Sequence, residues 1–218
     1  MRTVFLKKDA APELDLFFCG WGLDESLFTH LVLPVKRDLL FVNQYDACWN
    51  LPDLSRYQKV HTVAWSLGVF CAAKVFQLHP EIASGGDMTG FCGSLLPYNA
   101  ENGLPPAIYD GTAEHWTSEP ARLKFYQRVF GRRSSGPALR TPADQKEELI
   151  CIREVACKTP LPENIQPYKT IYICGADRIF SQAALIHFWS TKNVRIHLLE
   201  KSPHYPFEPM KSWDDIFV

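Results

Sequence analysis

No stretch of this sequence stays apolar for the roughly 20 residues that a membrane-spanning helix needs. The first nine residues carry charge and lack the apolar run of a secretory signal, so a soluble, cytoplasmic protein with no membrane partner is expected. Surplus charge is lacking as well. Twenty-three Lys and Arg against 24 Asp and Glu leave a net charge of −1, which argues against bulk attraction to nucleic acid or anionic lipid. There is no C-x-x-C pair, and the seven cysteines are odd in number and scattered; neither a disulfide framework nor a zinc site is indicated. Cys19, Cys71 and Cys174 fall within apolar runs, where a thiol behaves as a small core side chain. Internal repeats and low-complexity tracts are also missing.

What is present is a chain of 218 residues, 46% hydrophobic, enough for one domain with a substantial core. Apolar, β-rich runs occur at 4–6, 14–19, 39–42, 60–64, 82–91, Thr170–Cys174 and 194–199. Helical patterns occupy 26–33, 67–79 and 181–190, with a further helical turn over 54–58. Within 67–79, Val69, Ala72, Ala73 and Phe76 recur at i, i+3, i+4 and i+7, the spacing of one buried face. Alternating strands and helices predict a mostly parallel sheet covered on both faces. Composition changes at Pro97: from 97 to 167 the chain is rich in Pro, Arg, Glu and aromatics, with helical periodicity. This block is expected to be a small helical lid inserted over the strands' carboxyl ends, so that 1–96 and 168–218 form the core.

Ala64-Trp65-Ser66-Leu67-Gly68 sits where the 60–64 strand passes into the 67–79 helix. A serine on such a turn is held on strained backbone with its hydroxyl exposed, and the small residues two before and two after let strand and helix pass closely. Serine needs a base to attack a carbonyl, and the base needs an orienting carboxylate. Asp177 follows the Thr170–Cys174 strand in Gly175-Ala176-Asp177, and His204 follows the 194–199 strand in Ser202-Pro203-His204. Carboxyl-end loops are where ligands bind in such sheets, and the order nucleophile, acid, histidine is that of the α/β-hydrolase fold. Taken singly, Ser66 reads as a helix cap, Asp177 as a turn residue and His204 as one histidine of seven; jointly they read as a catalytic triad. His61, His187 and His197 are poorer bases, being placed in strands or a helix, while Asp87 and Asp110 are fallback acids. The tetrahedral intermediate of acyl transfer needs two waiting N–H donors. Leu67, next after the nucleophile, offers one, and Gly20-Trp21-Gly22, the turn after the 14–19 strand, offers the other at Trp21.

Phe18-Cys19-Gly20-Trp21-Gly22, Ala64-Trp65-Ser66-Leu67-Gly68, Gly175-Ala176-Asp177 and Ser202-Pro203-His204 together resemble the BioG-type pimeloyl-[acyl-carrier protein] methyl ester esterases of biotin synthesis. The elbow and the Gly-Trp-Gly loop also resemble those of BioH-type esterases. The resemblance implies a serine carboxylesterase with Ser66, Asp177 and His204 catalytic, Trp21 and Leu67 donating to the oxyanion, and no metal or organic cofactor. It further implies an acidic acyl-carrier protein as partner, and the middle block is basic enough to meet it. Lys124, Arg128 and Arg132 stand at i, i+4 and i+8, with Arg122, Arg133 and Arg140 nearby. Trp21, Leu67, Trp116, Phe125 and Val129 are then expected to contact the acyl chain. Rival readings are an acyl thioesterase, a general short-chain esterase, or a non-catalytic module of the same fold that binds an acyl ligand or a protein.

Overall fold

The structure, a computed structural model, describes residues 1–46, 48–83 and 86–217. Seven strands form one sheet: β1 (Arg2–Lys7), β2 (Glu13–Phe18), β3 (Asp38–Asn43), β4 (Lys59–Trp65), β5 (Met88–Phe91), β6 (Thr170–Cys174) and β7 (Arg195–Leu199). Their spatial order is β1-β3-β2-β4-β5-β6-β7. Every neighbouring pair is parallel except β1 and β3. This is the mostly parallel α/β-hydrolase architecture that strand and helix alternation predicted.

The central strands are apolar along almost their whole length because both faces of a parallel sheet are covered. Leu14, Leu16, Phe17 and Phe18 in β2 and Leu39 to Val42 in β3 are fully buried. Edge strands β1 and β7 are partly or largely exposed. On one face, Phe17, Phe28, Phe41, Phe207 and Trp213 form an aromatic cluster of edge-to-face and stacked pairs with ring centroids 5.2–6.2 Å apart. The cluster pins the C-terminal segment under β2 and β3, and the Trp213 N–H donates to Val32 O at 3.0 Å.

Helix α1 (Gly68–Leu78) leaves β4 and is buried from Gly68 to Phe76, on more than the one stripe expected. Three helices lie between β5 and β6: α2 (Pro106–His115), α3 (Glu119–Phe130) and α4 (Pro142–Lys158). Each carries a proline in its first turn, where the missing N–H costs nothing. Helix α5 (Gln182–Ser190) joins β6 to β7.

Three local expectations change. The 26–33 helix is only a 3₁₀ turn, Glu25–Phe28, started by the Asp24 carboxylate accepting from Ser26 N–H. The 54–58 stretch is a single turn without helix, closed by Tyr57 N–H donating to Leu54 O at 3.0 Å. Of the 82–91 run, only Met88–Phe91 is strand; a 3₁₀ turn fills Pro80–Ala83, and positions 84 and 85 lie outside the described residues.

Candidate active site

β4 delivers Ser66 at the carboxyl edge of the sheet with φ +59°, in the left-handed region that non-glycine residues seldom occupy. The turn is held by the Ser66 N–H donating to Phe91 O at 2.8 Å. A Cβ on Gly68 would lie 2.5 Å from the carbonyl oxygens of both Phe18 and Cys19, so only glycine lets α1 start this close to β2. Ala64 is fully buried in β4 and leaves this turn formed, so the first position of the motif tolerates a methyl group.

The imidazole of His204 lies between the other two residues. Ser66 Oγ donates to His204 Nε2 at 2.8 Å, and His204 Nδ1 donates to Asp177 Oδ2 at 2.7 Å, the proton sitting on Nδ1 as an adjacent carboxylate requires. The second Asp177 oxygen accepts from the N–H groups of Ile179 at 2.7 Å and Phe180 at 3.0 Å. Asp177 therefore cannot rotate without losing three contacts. Phe180 lies parallel to the imidazole at 6.0 Å, and Trp65 Nε1 donates to His204 O at 2.8 Å. The loops bearing the acid and the histidine are tied together by Ala176 N–H donating to Ser202 O at 3.0 Å. His204 is 2% exposed and Ser66 7%, so the line of proton transfer is nearly dry.

The other titratable residues weighed from sequence are engaged elsewhere. Asp87 pairs with Lys169, Asp110 with Arg153 and Tyr98, and His61 with Glu13; His197 stacks on Tyr172. Cys92, Asp177 and His204 form the one group among the described residues whose ligand-type atoms lie within 4.8 Å of one another. The hydrogen bond between Asp177 and His204 already uses two of the donors a metal would need.

Beside Ser66 opens a narrow cleft walled by Trp21, Leu23, Leu67, Phe125, Val129 and Leu149, with exposed Arg128 and Arg178 also bordering it. Trp21, Leu67, Phe125 and Val129 thus border the cleft, as expected. Trp116 does not. Its ring lies 4.4 Å from Trp21 and 5.2 Å from Phe125, backing both, and it borders the adjoining groove between α2 and α3, which shares Phe125 and Arg128 with the cleft.

The Gly20-Trp21-Gly22 loop turns at Gly22, φ +71°. Its contacts come from α4. Trp21 Nε1 donates to Gln145 O at 2.6 Å, Gln145 Nε2 donates to Gly22 O at 2.6 Å, and Gly22 N–H donates to Glu148 Oε2 at 2.9 Å. Glu148 also accepts from Tyr45 N–H at 2.9 Å and pairs with Arg140 at 3.0 Å. Burial pushes its carboxyl above the usual carboxylate range, against the pull of Arg140 and the two N–H donors. Gln145 and Glu148 escaped the sequence reading. Their only signal was a polar pair three apart on a helix, which ordinarily means a solvated face.

The basic residues divide accordingly. Arg140 is not a surface group: its side chain is 3% exposed and held by Glu148, so it cannot meet a carrier. Arg122 donates to Trp116 O and Thr117 O at the end of α2, and Arg132 pairs with Glu208. Arg132 also falls outside α3, because Gly131 ends the helix at φ +68°; the i, i+4, i+8 face stops at Arg128. Lys124, Arg128 and Arg133 are exposed and have no carboxylate partner among the described residues.

The chain is similar to known proteins in sequence and in fold. The crystal structure of BioG from Haemophilus influenzae is 29% identical, covers all of both chains and superposes with a TM-score of 0.87. A malonyl-[acyl-carrier protein] O-methyltransferase from Bacteroides fragilis is 34% identical over 187 residues, which are 80% of this chain and 35% of that longer protein. A lipase-esterase related protein from Clostridium acetobutylicum, 10% identical over all of this chain and 99% of its own, shares the fold with a TM-score of 0.59. The family model described as pimeloyl-ACP methyl esterase BioG matches residues 1–216, and the chain belongs to that family of carboxylic ester hydrolases of biotin synthesis.

Proposed function

We propose that Ser66, His204 and Asp177 perform the family's reaction, hydrolysis of the methyl ester of pimeloyl-[acyl-carrier protein] methyl ester to free the terminal carboxylate. The supporting observation is the continuous pair of hydrogen bonds, 2.8 and 2.7 Å, from hydroxyl through imidazole to carboxylate beside an apolar cleft. Ser66 Oγ attacks the ester carbonyl carbon as its proton passes to His204 Nε2. The carbonyl oxygen becomes an oxyanion facing the N–H groups of Leu67 and Trp21, which donate to no other group among the described residues. Loss of one such donor typically costs about 3–4 kcal/mol of transition-state stabilisation. Collapse breaks the C–O bond, and His204 returns its proton to the departing methoxide, releasing methanol. Water, deprotonated by the same imidazole, then attacks the acyl-enzyme; the carboxylate leaves and Ser66 is restored.

Trp21, Leu67, Phe125 and Val129 hold the methylene chain by apolar contact. Residues 97–167 act as the lid, and Lys124, Arg128 and Arg133 supply the positive face for the acidic carrier. The Bacteroides relative's name, a methyltransferase acting on a carrier-bound malonyl group, fits an enzyme that removes such a methyl ester later. Free thiols at all seven cysteines suit the reducing cytosol. No helix among the described residues is long and apolar enough to cross a membrane.

A thioester would pass through the same tetrahedral chemistry. Mass analysis of methyl pimeloyl-carrier after incubation separates the outcomes: the expected product has lost the methyl group and kept its thioester linkage. Release of the carrier's free thiol would instead favour a thioesterase.

A further inference from the structure

Of the inserted block, α4 is the part that lies against the Gly20-Trp21-Gly22 loop. Helix α4 reaches that loop through three hydrogen bonds of 2.6–2.9 Å, using both a side-chain amide and a carboxylate. Gln145 is 1% exposed and Glu148 3%. One Glu148 oxygen takes the Gly22 N–H while the other takes the Tyr45 N–H from the segment after β3, so a single carboxylate spans two loops. Arg140 sits on the same carboxylate, and its Nε and Nη1 have no partner of their own.

A carboxylate buried this far costs several kcal/mol unless it is paired. Packing alone would be served as well by an apolar side chain. What the carboxylate adds is direction: two lone pairs aimed at two backbone N–H groups fix the peptide planes on which they sit. Gly22 adjoins Trp21, and the Gln145 amide takes the Gly22 carbonyl, so the plane after Gly22 is constrained as well as the N–H before it.

We propose that Glu148 and Gln145 are positioning residues that orient the Gly20-Trp21-Gly22 backbone from α4 so that the Trp21 N–H faces the oxyanion. Neither touches substrate. The inference rests on the assignment of Ser66 as nucleophile and Trp21 as oxyanion donor. It adds that part of the catalytic geometry is stored more than 120 residues away in the insertion.

The test is Glu148→Gln, close in shape but with one acceptor oxygen replaced by an NH₂ that faces an N–H donor or Arg140. With a free small methyl ester as substrate, kcat should fall by about 10- to 100-fold, the range for a weakened oxyanion donor. KM should stay within about two-fold, because uniform binding is untouched. Affinity for an alkyl boronic acid, which forms a tetrahedral adduct, should fall in parallel with kcat. A shifted α4 would instead move Leu149 in the cleft wall and raise KM with kcat retained, overturning the proposal; wild-type kcat in a folded variant would overturn it too. Should Glu148→Gln fail to fold, Gln145→Met removes the donor to Gly22 O and carries the same expectations. A parallel Ser66→Ala sample separates the two levels. Activity retained there sinks the triad itself, whereas a dead Ser66→Ala beside a normal Glu148→Gln sinks this inference alone.

Discussion

Ser66 is reached by strained backbone that its neighbours tolerate rather than relieve. With φ +59° and its N–H tied to Phe91 O, the residue points its hydroxyl at His204. Ser66→Ala should lower turnover on the order of a million-fold while leaving the fold intact, as removal of a triad nucleophile does elsewhere; steady-state rates together with circular dichroism would check both. Gly68 is the less obvious dependency. An added methyl would meet two backbone carbonyls at 2.5 Å, and backbone cannot rotate aside as a side chain does. Gly68→Ala should therefore destabilise the protein by about 1–3 kcal/mol through overpacking and displace the elbow. A lowered urea midpoint accompanied by loss of activity would bear this out.

At the level of elements, strand-to-turn junctions were legible and helix-to-loop contacts were not. Ser66, Asp177 and His204 each follow an apolar run and sit in a short loop, so their positions could be read from the sequence without knowing their partners. Trp21 was legible for the same reason, since two glycines close behind β2 announce a turn. Gln145 and Glu148 carry no such local mark, because their partners lie 123 and 126 residues away at Gly22. Arg140 shows the converse failure: one more arginine in a basic stretch, it is buried by a carboxylate eight residues on. The helical face was also read one residue group too far, across Gly131, whose left-handed conformation stops α3. Charge reversal at Lys124 in α3 and at Arg133 beyond it tests the exposed basic groups that remain. Lys124→Glu with Arg133→Glu should raise KM for the carrier-bound ester by roughly 10-fold or more at low salt, less as salt screens the encounter. Kinetics with a small free ester should be unchanged.

For the whole molecule, the strand count and the mostly parallel pairing follow from the hydrophobic runs and their alternation with helices, whereas the spatial order of the strands carries no local mark. The antiparallel pairing of β1 with β3 has no mark in the sequence beyond the short apolar run at 4–6. Stability should also carry a signature from Asp15 in β2, fully buried beside Arg37 and pushed by burial up to about 7 despite that cation. A carboxyl raised above its unfolded value, near 3.9, favours the folded state most when protonated. Its contribution is full below about pH 4 and is lost as pH rises through about 7. Asp15→Asn should therefore gain melting temperature relative to the wild type between pH 4 and 8, and paired thermal scans across that range would show the difference widening.

The most direct test of the triad is to treat the enzyme with an alkyl fluorophosphonate and locate the adduct by peptide mass spectrometry. The proposed triad predicts one stable adduct on Ser66, formed slowly in His204→Ala and absent from Ser66→Ala. An adduct formed at the wild-type rate without His204, or located on another residue while methyl-ester hydrolysis is abolished, would contradict it.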